Sequence, residues 1–338
     1  MHTRVYNLAL ATGAFALAAA FAVSAGAEGM KGLKTPYDLA KERLGSVDPS
    51  HQKVYGGKDA PPGAFPFQVS LLQAEAKKGD EFDYHFCGGS LISDTWVLTA
   101  GHCVTSEGEI LDPTRINVYV GSIDFKNGDR IPVKSVYRHP EYNADFTDND
   151  VALLKLERAP KKEVKVGKIN LIDATKDSTL ETPGTDLTIV GWGTTEQGSL
   201  SKTLRYTSVK IVDRTECNKN ILDNRATSLD DSLSSIVRSF HISDDKMKAI
   251  RQSIIDNAGQ IVNENMICAG DPKPDPTAQF VHDTCQGDSG GPLVAKSGDK
   301  ATQVGIVSWG EGCGVPKLHG VYTRLGKFMD WVKSTATN

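Results

Sequence analysis

The stretch Asp283-Thr284-Cys285-Gln286-Gly287-Asp288-Ser289-Gly290-Gly291-Pro292 sets two carboxylates and one hydroxyl in a turn of small residues. A serine hydroxyl is a weak nucleophile until a base takes its proton. Glycines on both sides of Ser289 free the backbone for positive φ and close approach to a ligand, so that consecutive N–H groups can converge on one oxygen. Read alone, Gly287 to Pro292 is a glycine-rich hairpin turn, and two distant motifs change that reading. Leu98-Thr99-Ala100-Gly101-His102-Cys103 ends a strand with a histidine next to a cysteine. A disulfide there would hold the imidazole, and proton transfer depends on orientation. Asp150 abuts the apolar run Val151-Ala152-Leu153-Leu154 and is therefore the carboxylate placed for burial beside a histidine N–H, whereas Asp145 and Asp148 belong to the polar loop.

These residues need a scaffold to bring them together. From Val54 onward, short runs of β-branched and aromatic residues alternate with Gly, Pro, Asn and Asp clusters. Residues 67–71, 96–98, 116–120, 151–156, 187–190, 206–212, 292–294 and 304–309 read as strands, and many short strands predict an antiparallel barrel or sandwich. Two segments differ. Leu229, Leu233, Ile236, Val237 and Phe240 recur at helical spacing, as do Met247, Ile250, Ile254 and Ile255 after the cap Ser243-Asp244-Asp245. They predict a helical hairpin around 228–258, inserted between Cys217 and Cys268, with its apolar stripe packed against the body. Phe328, Trp331 and Val332 predict a short C-terminal helix docked on the body.

The 338 residues carry a net charge of −4. Without residues 1–53 the balance is 32 Lys/Arg (38 − 6) against 38 Asp/Glu (42 − 4), or −6, with no basic excess of the kind nucleic acid requires. Arg4, the apolar run Leu8 to Val23 and Ala25-Gly26-Ala27 read as a secretory signal peptide, residues 1–27. The run is short for a membrane span, so no anchor is expected once the signal is removed. Residues 28–53 are polar and Lys-rich, without cysteine or strand pattern. Six cysteines in an exported chain read as three disulfides, with fifteen pairings open.

His102 in TAGHC, Asp150 in DNDVALL and Ser289 in GDSGGP stand in the order and rough spacing of the chymotrypsin/trypsin family. The resemblance runs from Val54 to the C-terminus and adds CGGSLI at Cys87, GWG at Gly191, NMICAG at Asn265, SWG at Ser308 and GVYT at Gly320. It implies an all-β protease domain over 54–338, built of two packed six-stranded antiparallel barrels. It also implies His102 as general base, Asp150 as its orienter, Ser289 as nucleophile, and the N–H groups of Gly287 and Ser289 as oxyanion hole. The family's pairing implies disulfides Cys87–Cys103, Cys217–Cys268 and Cys285–Cys313. Ser308, Trp309 and Gly310 match the strand that pairs with substrate backbone. Asp283 matches the carboxylate at the floor of the specificity pocket, with Gly310 and Gly320 leaving it open, which implies cleavage after Arg or Lys.

Lys53-Val54-Tyr55-Gly56-Gly57 resembles the family's activation junction, with Tyr55 in place of the usual Val. Residues 28–53 would then be a propeptide, and a new ammonium at Val54 would pair with Asp288. The expected protein is thus a secreted or periplasmic zymogen acting on protein or peptide substrates, with proteinaceous inhibitors as further partners and no cofactor. The segment Gln73 to Asp83 is a charged insertion on the leaving-group side of the cleft. The loop Gly121 to Asp129 is short, and its Asp124 and Asp129 make a weak metal case, so no metal is expected. The rival reading is a catalytically silent homologue that binds through the helical insertion. The intact motifs argue against it.

Overall fold

The computed structural model describes residues 57–195, 198–271, 281–297 and 300–337. The expected signal peptide, the expected propeptide and the junction Lys53–Val54 lie outside the described residues. The first barrel is built from β1 (Gln68–Gln73), β2 (His85–Leu91), β3 (Trp96–Thr99), β4 (Ile116–Val120), β5 (Asp129–Arg138) and β6 (Ala152–Leu156). They close in the order β1-β2-β3-β6-β5-β4. The second uses β7 (Asp186–Gly191), β8 (Arg205–Val212), β9 (Met266–Gly270), β10 (Pro292–Ser297), β11 (Lys300–Trp309) and β12 (Gly320–Arg324). Its order, β7-β8-β9-β12-β11-β10 and back to β7, repeats that of the first.

The strands show why they form. In β5, Asp129, Ile131 and Val133 point inward while Arg130, Lys134 and Pro132 stand on the wetter face, the period-2 pattern of a half-buried strand. β6 is apolar and buried at Ala152, Leu153 and Leu154 in succession, because its outer face is covered too. The cover is the C-terminal helix: Val332 and Met329 are buried in the same core, and His139 packs edge-on against Phe328 and Trp331 at 5.3 and 5.2 Å. Among the described residues no helix is long and apolar enough to cross a membrane.

The insertion departs from expectation in two ways. Helix α1 spans Arg214–Ser239 and so begins well before Ser228. The side chain of Asp213 starts it, accepting from Thr215 N at 2.8 Å and Glu216 N at 3.4 Å, a cap that the periodicity of later residues does not reveal. Helix α2 spans Asp244–Asn257 behind Ser243, as its cap predicts. On α2, however, the apolar stripe is not packed away. Helix α2 buries no residue, Ile254 is 43% exposed and Phe240 75%. Among the described side chains of α1 only Cys217, Ile221 and Ala226, near its base, are buried, and Cys217 and Ile221 pack on the second barrel. Leu233 and Ile236 lie outside the described side chains.

Asp129 is buried at the start of β5 and has a protein cation of its own. Its two oxygens accept from Arg158 Nη1 at 2.6 Å and Nη2 at 2.8 Å, and Lys161 N adds a bond at 3.0 Å. Burial raises the pKa of Asp129, and the Arg158 bond and charge with the Lys161 bond outweigh it, leaving the carboxyl below its usual range. Asp124, on the surface, pairs with Lys126. Asp129→Ala is expected to cost about 2 kcal/mol, since Arg158 is partly solvated and recovers some hydration. Urea unfolding checks this as a lowered midpoint at unchanged m.

Candidate active site

The site lies where the two barrels meet, and each part is fixed by the element beside it. Strand β3 runs through Thr99 into a single helical turn, His102–Val104, closed by Val104 N donating to Gly101 O. Cys103 in that turn is bonded to Cys87 on β2, so His102 is held by both neighbours. Strand β6 pairs with β3 with Ala152 opposite Thr99, and continuing this register carries Asp150 to the level of Gly101 and His102.

Asp150 is buried and its carboxylate is fully engaged. Oδ1 accepts from His102 N at 2.8 Å; Oδ2 accepts from His102 Nδ1 at 2.8 Å and from Ser308 Oγ at 2.5 Å. Its carbonyl accepts from Thr323 Oγ1 at 2.7 Å. Ser308 reaches it because β11 shifts register against β12 between Val307 and Trp309, a bulge that re-aims the side chain. Burial pushes the Asp150 carboxyl up, but the imidazole and these donors hold it below the usual range. Burial likewise pushes the His102 pKa down, and the Asp150 charge and hydrogen bond prevail and raise it. With Nδ1–H committed to Asp150, Nε2 is left to accept a proton.

Ser289 sits in a turn hung between the barrels. Its carbonyl accepts from Gly88 N of β2 at 2.7 Å, Gly290 N donates to Val307 O at 2.8 Å, and Val307 N returns a bond to Gly291 O. Among the described residues no hydrogen bond joins Ser289 Oγ to His102 Nε2; such contacts commonly tighten only around a substrate. Gly287 has φ +96°, and a Cβ there would meet Leu200 Cδ2 at 2.7 Å, so only glycine fits. Its carbonyl accepts from His85 Nε2 at 2.9 Å, and Ser70 Oγ donates to His85 Nδ1 at 2.7 Å. Burial lowers His85 to about 4, so the ring is neutral and matches this bonding. Trp192 and Phe125 pack on it with centroids at 5.8 Å. By pinning the carbonyl, His85 fixes the Gly287 peptide plane and so the direction of the loop's N–H groups. Sequence reasoning passed over His85 as an ordinary histidine; its place two residues before Cys87 on β2 is the available signal.

The two aspartates that flank the turn are both buried, and among the described residues neither has a cationic partner. Asp283 is 3% exposed, accepting from Thr284 N at 2.8 Å and Gly314 N at 3.0 Å. Burial pushes its carboxyl up to about 7, against these N–H groups and with the nearby Asp288 charge adding to the rise. A Cβ on Gly320 would fall 2.8 Å from Asp283 Oδ1, so glycine there keeps the carboxylate reachable. Asp288 is 2% exposed; burial pushes it to about 7 even though Cys285 N and Gly193 N donate to it. Gly191 and Gly193 wall it so closely that a Cβ on either would clash, at 2.0 and 2.3 Å. A buried carboxylate without a cationic partner is costly to ionise, and a cation brought to it would offset that cost.

The structure thus brings His102, Asp150, Ser289, Gly287 and Ser308 together between the barrels and sets Asp283 with Gly310 and Gly320 beside them. Disulfides Cys217–Cys268 and Cys285–Cys313 join Cys87–Cys103, and Cys285–Cys313 ties the turn to the Gly310–Gly314 segment. The one metal-like cluster among the described residues is Cys87, His102 and Cys103, and both its sulfurs are spent in the disulfide.

The model of the trypsin family matches residues 54–332. Trypsin 5G1 of Aedes aegypti is 35% identical over 289 residues, covering 85% of this chain and 86% of that protein. Anionic trypsin of Canis lupus familiaris is 34% identical over 286 residues, 84% and 89% of the two chains. Trypsin-1 of Astacus astacus is 31% identical over 288 residues, covering 84% of this chain and all of that one. With two closed six-stranded barrels beneath these matches, the chain belongs to the trypsin family of serine endopeptidases.

Proposed function

We propose that the protein is an exported zymogen, activated by cleavage after Lys53, that hydrolyses peptide bonds following Arg or Lys through an acyl-enzyme. The observation that carries the specificity is Asp283, a buried carboxylate with no cationic partner among the described residues, set beside Gly320, where any side chain would crowd it. A substrate guanidinium or ammonium supplies that cation. Ser289 Oγ attacks the carbonyl carbon while His102 Nε2 takes its proton, and Asp150 stabilises the imidazolium without itself being protonated. The N–H groups of Gly287 and Ser289 receive the oxyanion. Collapse breaks the C–N bond, His102 returns the proton to the leaving amine, and water, deprotonated by His102, then cleaves the ester and restores Ser289.

Asp288 is the latch in this reading. An ammonium freed at Val54 would pair with it, offset the cost of burying its charge and order the turn. The family match begins at Val54, one residue past Lys53, which supports a propeptide ending there. Three disulfides persist in oxidising compartments, which supports export. Nothing in the fold favours the binding-only alternative.

The test is to purify the precursor, sequence the new N-terminus after activation and assay peptides ending in Arg, Lys, Phe or Ala. A mature N-terminus at Val54 with turnover confined to Arg and Lys is expected. Processing elsewhere rejects the latch, and a preference for Phe rejects the role of Asp283. A Ser289→Ala precursor that stays intact alone but is cut by added active enzyme would show self-activation.

The pH profile follows from the shifts. His102 must be neutral to accept the proton, and its pKa is raised, so kcat/KM falls as pH drops through a value above 6.5. Burial pushes the Asp283 carboxyl up to about 7, so KM for basic peptides is expected to rise below that pH. Steady-state kinetics from pH 5 to 9 separate the two.

A further inference from the structure

The outer end of the helical insertion carries a basic residue where the chain is easiest to open. From Val237 to Ile261 no residue is buried. Arg238 is exposed in the last turn of α1, and Phe240 just beyond it is 75% exposed. His241 stands at φ +51°, in the left-handed region that residues other than glycine rarely adopt. Ile242 N closes the turn onto Val237 O at 3.0 Å, with His241 N on Arg238 O at 3.4 Å. The hairpin is anchored at its other end, where Asn218 Oδ1 accepts from Ile261 N and Val262 N, both at 2.9 Å.

We propose that the Arg238–Ser239 bond is a self-cleavage site, cut by a second copy of the active enzyme to give a two-chain form. It rests on the proposed cleavage after Arg or Lys and extends it to this chain as substrate. Arg238 lies about 18 Å along α1 from the buried Ala226, so the tip projects toward other molecules. Its guanidinium seats against Asp283 of the second copy, whose Ser289 Oγ attacks the Arg238 carbonyl carbon as His102 takes the proton. The bond to Ser239 N breaks, and that nitrogen leaves with the proton from His102. Water then hydrolyses the ester, so each cut consumes one water.

A protease cleft takes its substrate extended, so residues on both sides of the bond must first leave their helix or turn, and the rate of cutting follows the population of that opened segment. Other exposed basic residues are tied more closely. Drawing out Lys78 breaks the bond of Gly79 N to the buried Glu81 at 2.7 Å. Lys126 lies between the buried Phe125 and Gly128, whose N–H is held by Tyr119 Oη at 2.9 Å. In α2, Asp244 and Asp245 stabilise the first turn around Lys246. Opening at Arg238 frays the end of α1 and exposes no buried residue from Val237 onward. The cut leaves His102 and Asp150 on one chain and Asp283 and Ser289 on the other. Cys217–Cys268 spans it and keeps the chains joined, while β8 stays paired with β9 and β7 with β10. The active site therefore survives the cut.

The test incubates the activated enzyme at several concentrations and follows it by intact mass and by gels with and without reductant. The expected first product is one molecule heavier by a water, which reductant separates into two chains, the second starting at Ser239. Its rate per molecule should rise with enzyme concentration. Arg238→Gln is expected to slow it about 10²-fold, since an uncharged amide leaves Asp283 without a cation. Turnover of a blocked single-residue Arg substrate should not change with the cut. Ser289→Ala, digested in parallel by a protease of known Arg/Lys specificity, should also open first at Arg238–Ser239. A first cut elsewhere in either arm, an Arg238→Gln enzyme cut as fast at this bond, a rate independent of concentration, or turnover lost in step with the cut overturns the proposal. Arg and Lys peptides run alongside separate the two readings: no turnover of them rejects the pocket reading, and turnover without the cut rejects this site alone.

Discussion

Ser289→Ala is expected to lower kcat/KM for peptide substrates on the order of 10⁶-fold while leaving fold and ligand binding in place. The side chain is small and the turn is carried by its backbone: Ser289 O accepts from Gly88, and Gly290 and Gly291 are bonded to Val307. Removing Oγ touches none of these bonds. Circular dichroism and thermal melting of the variant should match the parent, and a guanidinium ligand should still raise its Tm. His102→Ala is expected to cost a similar factor, and the double variant little more, since nucleophile and base act as one unit. Losses that multiply in the double variant would show that the two act independently, against the mechanism proposed.

The contrast between elements shows what the sequence makes legible. His102, Asp150 and Ser289 stand out because each carries its setting in its neighbours: a cysteine, an apolar run, a set of glycines. Strand β2 does not read as a strand, since Gly88 and Gly89 interrupt the pattern that marks its neighbours. Strand β9 is interrupted in the same way by Ala269 and Gly270. His85 and Ser308 are legible as residues but not as partners; that His85 holds Gly287 follows from a pairing 202 positions apart in the chain. The helical insertion misleads for a physical reason. Periodicity reports that a helix has an apolar face, and the same face serves packing or recognition. The barrel takes up the base of α1 but buries no residue of α2, and only three-dimensional contacts reveal that.

Asp283→Ser is expected to reduce kcat/KM for Arg and Lys substrates by about 10²–10⁴-fold, because a substrate cation would then be buried without a partner, at about 3–5 kcal/mol. Peptides with Phe or Ala at that position should change far less, so the ratio of basic to neutral turnover is the measurement. The same substitution has an opposite effect on the empty protein. The folded pKa of Asp283, about 7, lies above its usual value of 3.8, so the native state holds the proton more tightly than the unfolded chain. Stability is therefore lost as pH rises from about 4 through 7, as the carboxylate is forced to ionise in its pocket. Serine removes that liability, and the variant should lose less stability than the parent over this window. Asp288 shares the raised value, so its part of the loss remains until an ammonium pairs with it. A guanidinium ligand should raise the Tm of the parent at pH 8 and leave the variant unmoved. If basic substrates keep their advantage in Asp283→Ser, another acidic group sets the specificity; if the advantage falls while stability at pH 8 rises, one buried carboxylate accounts for both.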